Sequence, residues 1–139
     1  MSETRIEHLN MNVINPERTA NLLGRLFGWR IRWQGPSAMG GRTVHVGTTD
    51  DYLALYCRAV EGDDPEFDGP GPGGLNHVGV LVDDLDGTEA RVREAGLVPF
   101  NHADYEPGRR FYFEDPDGIE YEVVTYRAGK GRSPEARDD

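Results

Sequence analysis

The sequence predicts an α+β fold: two βαβββ modules whose strands share one sheet, forming an incomplete, cupped β-barrel. Three observations carry that reading. The succession of one strand pattern, one helical pattern and three strand patterns occurs twice in 139 residues. The two copies keep register, since His8 and His77 lie 69 positions apart and the helix-ending glycines Gly28 and Gly96 lie 68 apart. An acidic stretch rich in proline and glycine separates them.

The first strand spans Arg5 to Val13, with Leu9, Met11 and Val13 on one face and Ile6, His8, Asn10 and Asn12 on the other. Asn15 then offers an N-cap, Pro16 a first helical residue and Glu17 an early acid, so a helix runs from Pro16 to Phe27 with Ala20, Leu23, Leu26 and Phe27 as its apolar stripe. Trp29 to Gln34, Thr43 to Thr48 and Tyr52 to Arg58 complete module one, residues 1–60. Residues 61–74 form the linker. In module two, residues 75–127, Leu75 to Val82 repeats the first strand, and a helix with Asp86 and Glu89 at capping-box spacing follows, ending at Gly96. Strands at Leu97 to Asn101, Arg109 to Glu114 and Ile119 to Tyr126 close it, the last two joined by a Pro116-Asp117-Gly118 turn. Residues 128–139 hold no large apolar side chain and are expected to be disordered.

A net charge of −10 disfavours nucleic acid and anionic membranes as partners. No apolar run approaches the roughly 20 residues of a membrane span, and the amino terminus lacks a signal-peptide core, so a cytoplasmic location is expected. The single cysteine, Cys57, lies in an apolar strand and reads as a buried thiol.

The repeat places His8 and His77 at equivalent points, on the strand faces opposite the helix-packing residues, where they point into the hollow of the sheet. On the last strand Glu120, Glu122 and Val124 share a face, and Glu122 is a carboxylate among Tyr121, Val123 and Val124. Two histidines and a glutamate make up the ligand list of a facial metal triad, which leaves coordination positions open for substrate and for oxygen or water. A histidine on a strand is more often hydrogen-bonded structure than a ligand, and the repeat is what raises the odds here.

Asn76-His77-Val78-Gly79-Val80, Val82-Asp83-Asp84-Leu85, and Phe113-Glu114-Asp115-Pro116-Asp117-Gly118 with Glu122 resemble the vicinal oxygen chelate superfamily. His8 and Leu26-Phe27-Gly28-Trp29 add to the likeness, which extends from Arg5 to Tyr126. That superfamily includes glyoxalase I, extradiol dioxygenases, fosfomycin-resistance transferases, methylmalonyl-CoA epimerase and bleomycin-binding proteins. The resemblance implies metal ligation by His8, His77 and Glu122. It also implies a divalent ion, Fe(II) first with Mn(II), Ni(II) and Zn(II) as the other candidates, a small substrate with vicinal oxygens, and a homodimer.

Glyoxalase I has a glutamate, and the epimerase a glutamine, where Leu53-Ala54-Leu55 stands here. Ala54 cannot ligate, so the chain looks more like the three-ligand extradiol dioxygenases or fosfomycin transferases than like either of them. Phe111-Tyr112, Asp115-Pro116 and Gly118 fit the extradiol signature, with His102 upstream, which makes Tyr112 and His102 the candidate catalytic residues. A cross-strand aromatic pair is the plainer role for Tyr112, and an exposed loop position the plainer one for His102. Arg110, Tyr56 and His45 are the candidate substrate contacts. The alternatives are a metal-free drug-binding protein of the bleomycin-resistance type and a thiol transferase of the fosfomycin type.

Overall fold

The computed structural model describes residues 3–37, 40–58, 71–105 and 108–126. The linker at 61–70 and the tail at 128–139 fall outside the described residues. The elements run β1 (Arg5–Asn12), α1 (Pro16–Phe27), β2 (Arg30–Pro36), β3 (Arg42–Gly47), β4 (Tyr52–Cys57), β5 (Leu75–Leu81), α2 (Leu85–Glu94), β6 (Phe100–Tyr105), β7 (Gly108–Glu114) and β8 (Glu120–Tyr126). All eight strands form one sheet in the order β2-β3-β4-β1-β5-β8-β7-β6, and the sheet is open at β2 and β6. β1 pairs with β4 and β5 with β8 in parallel, and the antiparallel β1–β5 pair joins the two modules.

Each helix packs on the same side of the sheet and makes its own core there. Ala20 of α1 meets Val44, Val46 and Leu55, while Leu85 and Val92 of α2 meet Val82, Phe111 and Val123. Burying each large aliphatic side chain contributes about 1.5–3 kcal/mol. The opposite face is polar and nonetheless buried, holding Glu7, His8, Asn10, Asn12, Thr43, His45, His77, Arg110 and Glu122. Alternation along the strands therefore separates an apolar convex side from a polar hollow.

The bounds of α1 match the expected ones, and other features differ. On α1 the Asn15 side chain caps Arg18 N–H and Gly28 closes the helix at φ 75°. Leu26 and Phe27 are exposed rather than packed, because Leu26 points away from the Ala20 face and the last turn lies beyond the core. For α2 the N-cap is Asp84, which accepts from Gly87 N–H, and not Asp86. β6 extends through Tyr105, with Asn101 at φ 53° inside a bulge, where the sequence suggested a strand ending at Asn101.

The turn into β8 is built on Asp115. Its side chain accepts the backbone N–H groups of Asp117 (2.9 Å) and Ile119 (3.1 Å) and the Tyr121 hydroxyl (2.9 Å), and Gly118 follows at φ 84°. The bond from Ile119 leads in holding the Asp115 carboxyl below the ordinary aspartate value. A depressed folded-state pKa means that this contribution is present above about pH 3.9 and is lost as pH falls through the lower folded value. An NMR titration should place the Asp115 midpoint below that of an exposed aspartate; an equal or higher midpoint contradicts this account.

Candidate metal centre

Three strands at the middle of the sheet converge on one point in the hollow. The His8 Nε2 and His77 Nε2 atoms are 3.4 Å apart, and Glu122 Oε1 lies 3.2 Å from the first and 3.1 Å from the second. All three side chains are buried. The register explains the meeting: His8 lies opposite Gly79, and Gly79 lies opposite Glu122. Gly79 is required there, because a Cβ at that position would overlap the His8 imidazole. Gly79→Ala is expected to turn the ring away and cost at least about tenfold in metal affinity, measurable by titration with Mn(II).

Hydrogen bonds on the far side of each ring decide what faces the centre. His8 Nδ1 is 3.0 Å from Glu7 Oε1, and a carboxylate only accepts, so Nδ1 carries the proton. His77 Nδ1 is 2.9 Å from Asn76 Oδ1. The Asn76 amide is turned that way because its nitrogen donates to Asn12 Oδ1 at 3.1 Å, so His77 Nδ1 donates as well. In neutral rings both Nε2 atoms then present lone pairs towards a carboxylate oxygen. Three electron-rich atoms this close favour a cation between them or added protons on the rings.

A divalent ion fits this donor set. Ligand atoms about 2.1–2.2 Å from an ion lie about 3.0–3.1 Å apart at octahedral right angles and about 3.4–3.6 Å apart in a tetrahedron. The observed separations of 3.1–3.4 Å fall within that span without moving a side chain. His8, His77 and Glu122 also form a group of potential metal ligands among the described residues.

Burial alone would raise the Glu122 carboxyl, but with added protons on the rings, hydrogen bonds and charge interaction with His77 and His8 outweigh it and hold the group well below the ordinary glutamate value. Its second oxygen accepts from Arg110 Nη1 at 2.6 Å, with both side chains fully buried. Arg110 is thus tied to a ligand, and its guanidinium also lies 4.7 Å over the Tyr105 ring.

The other expected site residues divide. Tyr112 lies opposite Glu122, its ring edge-on to His77 at 5.9 Å and stacked on Phe100 at 6.1 Å. His45 is buried in the hollow, 4.5 Å from the Tyr52 ring, and Tyr52 stacks on His8 at 4.9 Å. Tyr56 shares the Tyr52 face of β4, but its hydroxyl donates to the Gly40 carbonyl at 3.0 Å. His102 is not brought to the centre. It is exposed and pairs with Glu89 of α2 at 2.8 Å, because the β6 bulge turns it to the helix side. Ala54 is buried in register with Asn10 and offers no ligand atom.

Sequence reasoning missed Glu7, Asn76 and Gly79. Strict alternation placed Glu7 on the wrong face, yet a signal was present: an oxygen-bearing residue precedes each histidine of the repeat.

A cupped mixed sheet with a buried His, His, Glu group defines a class of metal-site folds. Within it, the chain belongs to the Glyoxalase/Bleomycin resistance protein/Dioxygenase superfamily, whose model matches residues 5–123. No curated relative matches the sequence. Among solved structures, methylmalonyl-CoA epimerase from Mycobacterium tuberculosis is similar at TM-score 0.71 and 17% identity, covering 88% of this chain and 87% of that one. A hypothetical protein from Bacillus halodurans C-125 reaches 0.73 at 13% identity, covering 91% and 96%. The Streptomyces coelicolor epimerase in complex with 2-nitronate-propionyl-CoA reaches 0.67 at 18%, covering 91% and 100%. At these identities the likeness is one of fold. No helix among the described residues is long and apolar enough to cross a membrane.

Proposed function

We propose that this chain is a metal-dependent enzyme in which His8, His77 and Glu122 hold a divalent ion that binds a small anionic substrate through two neighbouring oxygens. The convergence of two lone-pair-bearing Nε2 atoms and one carboxylate oxygen within 3.4 Å carries the reading. A bound ion supplies Lewis acidity where negative charge develops on the substrate.

The charge of the hollow supports an anion. Glu7 and Glu122 supply two negative charges, Arg32 and Arg110 two positive, and all four side chains are buried. A divalent cation adds two positive charges, and the partly buried Glu120 on the Glu122 face one negative, which leaves a positive charge for an anionic chelating substrate to offset. Asn10 Oδ1 is buried in the hollow with no hydrogen-bond partner among the described residues, which suits a donor on the substrate.

Two reaction types suit the site. Three protein ligands with Ala54 in place of a fourth, and Tyr112 beside His77, favour the extradiol-type oxygenation of a catecholate on Fe(II). The outward position of His102 removes that chemistry's expected acid-base group. The second reading, an isomerase, is supported by the name of the epimerase neighbours.

Protein purified without chelator should contain about one equivalent of metal. After reconstitution with Fe(II), Mn(II), Ni(II) or Zn(II) it would be screened against catechols with oxygen uptake, a 2-methylmalonyl thioester with deuterium exchange, methylglyoxal with thiols, and fosfomycin. Failure to retain or rebind any of the four metals would overturn the enzyme reading in favour of a metal-free drug-binding protein. The homodimer expected from the family is checked by light scattering.

A further inference from the structure

We infer that Glu7 and Asn76 are a matched pair of positioning residues, delivered by two β-bulges, which lock His8 and His77 in the Nδ1–H tautomer. The role in metal binding rests on the function proposed above; the tautomer assignment does not.

The registers of the central strand pair locate both bulges. Ile6 lies opposite Val80 and His8 opposite Gly79, so Glu7 is an extra residue in β1. Asn10 lies opposite His77 and Met11 opposite Leu75, so Asn76 is an extra residue in β5. The two extra residues are 69 positions apart, the same offset as the histidines that follow them. Consecutive residues of a regular strand point to opposite faces. A bulge breaks that alternation, and here it lets residue and neighbour share the hollow, so each histidine finds its Nδ1 partner one position before itself. The repeat has kept the bulge together with the ligand.

Further partners hold each acceptor in turn. The Tyr126 hydroxyl, at the end of β8, donates to Glu7 Oε2, and Asn12 accepts from Asn76. The two arms differ in one respect. His8 faces a carboxylate and His77 an amide, so the first ring is made the more electron-rich ligand. Glu7 itself is turned from the centre by these two bonds and acts through His8.

Long-range proton–nitrogen spectra of the metal-free chain, recorded where the imidazoles are neutral, test the assignment. The wild type should show Nδ1–H at both His8 and His77. Glu7→Ala should lose it at His8 alone, Asn76→Ala at His77 alone, and Glu7→Gln, which keeps an acceptor oxygen, should retain it. Mn(II) affinity should fall about 10- to 100-fold in Glu7→Ala and less in Glu7→Gln. The Co(II) absorption spectrum should shift in the glutamine variant, which keeps the geometry and loses the charge. Nδ1–H retained at His8 in Glu7→Ala, or an Nε2–H wild type, would overturn the proposal. Should the alanine variant not fold, an Mn(II) affinity and Co(II) spectrum unchanged in Glu7→Gln would overturn it equally. A wild type that binds no metal removes the function proposed above, while the spectra still decide the tautomers.

Discussion

His77→Ala is expected to reduce bound metal from about one equivalent to less than about a tenth, with no recovery on titration with Fe(II) or Mn(II). Loss of a residue that only orients a ligand typically costs about 10- to 100-fold in metal affinity, and His77 is itself one of three ligands, so its loss exceeds that range. The substitution is mild for the fold. His77 lies on the polar side of β5 while Val80 and Val82 hold the helix side, so the apolar cluster around Val92 and Phe111 is untouched. The space left sits among polar groups and can admit water. Metal content by elemental analysis, alongside a circular dichroism melt of the metal-free protein, separates the effects. Stoichiometric metal retained in a folded His77→Ala variant would contradict the centre as described.

The order of elements and the faces of β7, β8 and β5 from His77 onward were legible in the sequence because they follow a period of two that nothing interrupts there. The grouping of His8, His77 and Glu122 was legible for a different reason, the repeat. It brought His8 and His77 to equivalent points on central strands, and Glu122 followed from being a carboxylate among apolar residues. What escaped were the places where periodicity breaks. A bulge is one inserted residue with no compositional mark, and each of the four that matter here moves a side chain from where alternation would put it. Those at Glu7 and Asn76 concealed two positioning side chains, the one between Ile31 and Trp33 brought Arg32 over the Tyr52 ring at 4.1 Å, and the one after Phe100 sent His102 to Glu89. Arg110 escaped differently. Its face was readable, but its pairing with Glu122 at 2.6 Å, across twelve residues, was not.

That contact carries the second large effect. Glu122→Leu in the metal-free protein is expected to cost about 3–5 kcal/mol, because it leaves the buried Arg110 guanidinium without its carboxylate. Removing both charges relieves this, so Arg110→Met combined with Glu122→Leu should regain a good part of the loss. Comparing metal-free states is essential, since bound metal adds a stabilisation that scales with its concentration and would be lost in either Glu122 variant. The sign with pH follows from the carboxyl. Burial opposes its charge, but with added protons on the rings His77 and His8 hold it well below the ordinary value, so its folded-state pKa is depressed. On the acid side its contribution is therefore present above about pH 4.3 and is lost as pH falls through the lower folded value. Acid denaturation of the wild type should include this loss below about pH 4, and that of the Arg110→Met, Glu122→Leu double variant should lack it. Urea denaturation at pH 7 and along the acid branch measures both. A single Glu122→Leu variant as stable as the double variant would show that Arg110 needs no carboxylate.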